Sequence, residues 1–129
     1  YNGSYTEISD SGEGTAGAWK TPSLQNSWAN NAWGYQTARF QKTADGFVFM
    51  DGVLASGTLT ADTVMFTLPA GFRPAGRQAF IAHAFTSGGV SGRVVVRVDT
   101  DGSVRMRNSS EGAAVLLEVS LCGMVFKAA

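Results

Sequence analysis

The chain has 129 residues, 44% of them hydrophobic and only 16% charged, and ten acidic side chains balance ten basic ones. That composition excludes a disordered chain and supplies apolar surface enough for one domain's core. A net charge of zero argues against nucleic acid as a partner. No run reaches the roughly 18 apolar residues of a helical membrane span, so membrane insertion is not expected.

So little charge on a chain of this size suggests that part of its surface is covered by other copies. The first residue is Tyr1, not Met, as expected of a fragment or a processed product. Cys122 has no partner for an internal disulfide, and its place in the apolar run from Val119 to Phe126 predicts a small buried hydrophobe.

Residues 1–18 are rich in Gly, Ser and Thr and read as a lead-in or linker. Residues 19–129 read as one β-sandwich domain. Short runs of Val, Phe, Thr and Leu alternate there with Gly, Asp and Asn, as in strands joined by tight turns. Strands are predicted at Arg39 to Thr43, Phe47 to Ser56, Thr63 to Leu68, Gln78 to Phe85, Arg93 to Asp99, Ser103 to Asn108, Ala113 to Leu121 and Met124 to Lys127. Apolar positions recur every second residue, which leaves no window for a helix.

Parity fixes two hairpins. The loop Ala44-Asp45-Gly46 places Phe40 opposite Met50 and Arg39 opposite Asp51. The loop Thr100-Asp101-Gly102 places Val98 opposite Val104, with Gly102 in the left-handed conformation. A loop one residue shorter would set Arg97 against Val104 and break the inward apolar set. Several strands are apolar on both faces: Phe47 and Phe49 point one way, Val48 and Met50 the other. Two packed sheets bury one face, and a subunit interface is the simplest cover for parts of the second.

Taken in order, several segments resemble the terminal domain of phage tail-fibre and receptor-binding proteins. They are the opening from Trp19 through Pro22 and Asn26 to Trp28, the stretch Asp45 to Gly52, the "LPAGFRP" segment from Leu68 to Pro74, and the closing run Val119 to Phe126. The resemblance covers most of Trp19 to Phe126. It implies an antiparallel β-sandwich or jelly-roll-like head at the tip of a fibre on the virion. It also implies assembly as a homotrimer and recognition of a bacterial surface polysaccharide. No binding-site motif transfers with it residue by residue.

The residues themselves carry little catalytic chemistry. His83 is the single histidine and shares a strand face with Ile81 and Phe85, so a strand histidine at a core edge or interface is favoured over a general base. Without a second histidine or cysteine beside it, no metal site is expected, nor any cofactor. Asp45, Asp51, Asp62, Asp99 and Asp101 mostly fall at turns, where turn formation explains them without a hydrolase. The chain is not expected to be an enzyme.

Binding chemistry is richer. Asn26, Trp28, Asn30, Asn31, Trp33 and Tyr35 cluster within ten positions. Aromatic rings stack on the apolar faces of sugars, and amides bond their hydroxyls. Trp28 is expected to be structural; Asn31, Trp33 and Tyr35 are the first candidates for saccharide contacts. Arg97 and Arg105 come second, on a basic stripe with Arg93 and Arg107. Arg97 faces Arg105, so a negative group is required between them: an anionic glycan, Glu118, Glu111 or an acid of a neighbouring subunit. Two other classes fit the same features: a carbohydrate-binding module of a secreted hydrolase, and a structural trimerisation domain of a tail apparatus.

Overall fold

The computed structural model describes residues 18–57, 62–85, 91–109 and 118–129. Among them there is no helix; ten strands form two antiparallel sheets. The lead-in assigned to residues 1–18 lies almost wholly outside the described residues, as do Glu111 and the first five residues of the strand expected at Ala113 to Leu121.

The strands are β1 (Ala29–Asn30), β2 (Arg39–Lys42), β3 (Phe47–Asp51), β4 (Val53–Ala55), β5 (Thr63–Thr67), β6 (Gln78–Phe85), β7 (Ser91–Val98), β8 (Ser103–Ser109), β9 (Glu118–Ser120) and β10 (Met124–Lys127). The larger sheet runs β1-β4-β9-β6-β7-β8-β5 and the smaller β10-β3-β2. Their inner faces meet in a single apolar layer. Phe40, Val48, Met50 and Phe126 come from the small sheet; Leu54, Ala84, Val96, Val104, Met106 and Val119 come from the large one. Trp28 is 4% exposed and belongs to this core, a structural role as expected.

Both parity arguments hold. Arg39 pairs with Asp51 and Phe40 with Met50 across β2 and β3, while Val98 pairs with Val104 across β7 and β8. Gly46 and Gly102 both have φ of 91°, the left-handed turn conformation that favours glycine. The Leu68 to Pro74 segment packs onto the sandwich as a rigid loop. Arg73 Nε donates to the Leu68 carbonyl at 2.8 Å, and the Phe72 ring meets Phe40 edge-on at 5.2 Å.

Two expectations need correction. The strand expected over Phe47 to Ser56 is two strands in different sheets, because the chain crosses from one layer to the other at Gly52. Gly52 has φ of 112° and lies so close to Ala38 that a Cβ there would fall 2.5 Å from the Ala38 Cα. The return crossing from β9 to β10 runs alongside, with Leu121 N donating to the Gly52 carbonyl at 2.8 Å. Cys122 lies in that return turn and is exposed, not buried. The apolar run is interrupted by a tight turn, closed by Met124 N on the Leu121 carbonyl, and the turn lifts Cys122 out of the core.

Candidate functional site

The segment between Trp28 and Trp33 starts as strand β1, paired with β4. Beyond it, residues 31–37 form a loop stapled to β4 on both sides. Asn31 N donates to the Val53 carbonyl at 2.9 Å, and Val53 N donates to the Gln36 carbonyl at 3.0 Å. Asn30 Oδ1 accepts from Ala38 N at 2.7 Å and closes the base. An exposed tip on a fixed base is a common setting for recognition.

Asn31 is 5% exposed and spends its side chain on the scaffold. Its Oδ1 accepts the Trp33 backbone N–H at 2.8 Å, and its Nδ2 donates to Glu118 Oε1 at 3.2 Å. Trp33, at the tip, is 76% exposed, and Tyr35 is 49% exposed. The Tyr35 ring lies 5.7 Å from Phe85, which in turn lies 5.3 Å from His83. Phe85 stands directly opposite Glu118 across β6 and β9. Asn31, Trp33, Tyr35, His83, Phe85 and Glu118 therefore form one continuous corner on the outer face of the large sheet.

Asn31, Trp33 and Tyr35 lie on one loop, with Asn31 bonded to the Trp33 backbone and Tyr35 packed on Phe85. Phe85 and Glu118 join them through pairing of strands remote in sequence, a relation that no local pattern displays. His83 is exposed on this outer face, against Phe85.

Arg97 and Arg105 lie elsewhere. Arg97 pairs with Ala79, six residues along β6 from Phe85, which is about 20 Å at strand rise. The two arginines do face each other, but the negative groups between them are Asp99 and Asp62. Asp99 is 8% exposed; its carboxylate meets Arg97 Nε at 2.8 Å, Arg105 Nε at 3.0 Å and Arg77 Nε at 3.0 Å. Asp62 pairs with Arg107, and its carbonyl accepts from Arg105 at 2.9 Å. Glu118, one of the acids expected to fill this role, is at the other corner with Asn31. Asp62 and Asp99 thus do more than shape turns.

A third feature lies on the outer face of the small sheet. A groove of about 390 Å³ runs between Trp19, Gln41, Phe49 and Val125. Phe47 and Val125 are each 43% exposed, and Trp19 is 40% exposed with the Arg39 guanidinium 4.0 Å above its ring. Among the described residues, no group of three or more His, Cys, Asp or Glu side chains could hold a metal ion, and no helix is long and apolar enough to cross a membrane.

No protein-family model matches the chain, and no curated protein matches it by sequence. A solved structure does. The receptor binding protein of Listeria phage PSA superposes on 99% of the chain, over 75% of its own length, with a TM-score of 0.72 and 12% sequence identity. At that identity the likeness is one of architecture, and the chain has the fold of a phage receptor binding protein.

Proposed function

We propose that this chain is a host-attachment domain of a phage tail, and that it binds saccharide on the bacterial surface through the corner built by Asn31, Trp33 and Tyr35. The observation that carries this reading is Trp33, a large indole held 76% exposed at the tip of a loop whose base is pinned by backbone bonds. Leaving an indole in water forgoes roughly 1.5–3 kcal/mol of burial, which a stacked ligand recovers. Asn31 acts by holding the loop, while Trp33 and Tyr35 offer the rings.

Arg97 and Arg105 fit a structural ion network better than a ligand site, since Asp99 and Asp62 already meet them. Three copies per tip would suit the low charge of the chain and the apolar outer face of the small sheet, and would convert weak single sites into firm attachment. The reading places the domain on the virion, outside the host cell.

The test is Trp33→Ala, assayed by adsorption to host cells and by binding to their purified surface polysaccharide. A loss of about tenfold in affinity per site is expected, the equivalent of one stacked ring. Unchanged binding would remove the corner from consideration. A chain that binds no polysaccharide, yet still assembles, would favour a purely structural tail role.

A further inference from the structure

We propose that Glu118 sets the ligand class of this corner: it admits a neutral, hydroxyl-bearing sugar and excludes sugars that carry a carboxylate or phosphate. The proposal rests on the saccharide reading above and sharpens it.

Glu118 is 6% exposed and Asn31 is 5% exposed. Burying a carboxylate is unfavourable unless hydrogen bonds or a cation compensate. Among the described residues no Lys, Arg or His forms an ion pair with Glu118. Among the described residues its hydrogen-bond partner is the Asn31 amide, Nδ2 on Oε1 at 3.2 Å. Two carboxylate oxygens offer about four lone-pair positions, so acceptor capacity remains.

The surroundings say what suits that capacity. Phe85 stands directly across from Glu118, and the Tyr35 ring packs on Phe85. Trp33 is tied to the same Asn31 that holds Glu118. An acceptor-only group thus borders a cluster of partly exposed rings. A sugar ring answers both needs, with C–H faces for the aromatics and O–H or amide N–H donors for the carboxylate. A ligand anion at the same place meets like charge in a partly desolvated setting and is repelled.

The experiment uses the full chain, wild type and Glu118→Gln, on a glycan array carrying neutral hexose- and N-acetylhexosamine-terminated glycans beside uronate-terminated ones. Competition with glucose and with glucuronate accompanies it. The wild type should prefer neutral termini by about tenfold or more, and Glu118→Gln should shrink that preference to about threefold or less. A Glu118 that only pinned the loop would lower affinity for all glycans alike and leave the preference intact.

Equal binding of uronates by the wild type, or an unchanged preference in Glu118→Gln, overturns the proposal while the saccharide reading stands. Failure of every glycan to bind a chain that still adsorbs to host cells overturns both. Should Glu118→Gln prove unstable by thermal melting, the wild-type ratio of neutral to uronate binding decides alone.

Discussion

Arg97 and Arg105 stand directly opposite each other on β7 and β8, and both guanidinium groups close on the one carboxylate of Asp99. Two like charges in register would destabilise the pair of strands. Asp99 reverses that sign, and its position at the end of β7, on the same face as Arg97, lets it reach both. Asp99→Ala strips a partly buried cation pair of its nearer acid and leaves Asp62, whose carboxylate is 3.8 Å from Arg97 and whose carbonyl accepts from Arg105. A loss of about 2–3 kcal/mol is expected, below the full value for a broken buried pair because Arg105 and Arg77 keep some contact with water. Urea denaturation measures it; a change under about 0.5 kcal/mol would show that solvent compensates these charges unaided.

The same residues show how far the sequence could be read. Alternation placed Arg97 against Arg105 and demanded a negative group between them, because parity is a local rule. Asp99 was in plain view at the hairpin, yet its turn position suggested that turn formation was its whole role. Asp62 comes from β5's entry, more than thirty positions away, and only the pairing of β5 with β8 brings it close. The candidate corner divides the same way. Asn31, Trp33 and Tyr35 were legible as a cluster of aromatics and amides, while Phe85 and Glu118 reach them through the pairing of β6 with β9.

The break between β3 and β4 was hidden for a different reason: apolar residues continue on both sides of Asp51-Gly52, and Asp51 is already accounted for as the cross-strand partner of Arg39, so the whole run looks like one strand. Gly52 marks the corner. A Cβ at this position would fall 2.5 Å from Ala38 Cα and 2.7 Å from the Thr37 carbonyl carbon, both backbone atoms that cannot swing aside, on a φ of 112°. Gly52→Ala should therefore cost about 3 kcal/mol or more, beyond the usual range for overpacking, because strain at φ adds to it. Thermal melting of the variant checks this. A melting temperature within two degrees or so of wild type would mean that the crossing is free to shift.

Acid should weaken the small sheet. Burial alone would raise the Asp51 carboxyl, but hydrogen bonds from Arg39, the Cys122 thiol and the Gly52 N–H outweigh it and hold the group below its ordinary value. Asp101 shifts the same way through the N–H and hydroxyl of Ser103. A folded value depressed below the unfolded one gives stability that is complete above about pH 5 and is lost as pH falls through the unfolded and then the folded value. The urea midpoint should drop between about pH 5 and pH 2.5, and Asp51→Asn should drop less over that interval. An equally steep fall in Asp51→Asn would place the acid sensitivity elsewhere.

The apolar outer face of the small sheet bears on assembly. Val125 lies opposite Phe49 on that face, 43% exposed, with Trp19 completing the groove. On a lone subunit, Val125→Glu is a surface change worth within about 0.5 kcal/mol of stability. Inside a contact between copies, the same carboxylate is buried without a partner and costs several kcal/mol, about 3 or more, enough to separate the subunits at micromolar concentration. On the proposed trimer, light scattering shows three subunits for wild type and one for Val125→Glu, with melting of the single subunit little changed. Polysaccharide binding per site should survive, because the Trp33 corner is on the other sheet, while adsorption to whole cells should fall as the three-site advantage is lost. A wild-type chain that is itself a single subunit, or a Val125→Glu chain that stays trimeric, would put the contact between copies on some other surface or remove it altogether.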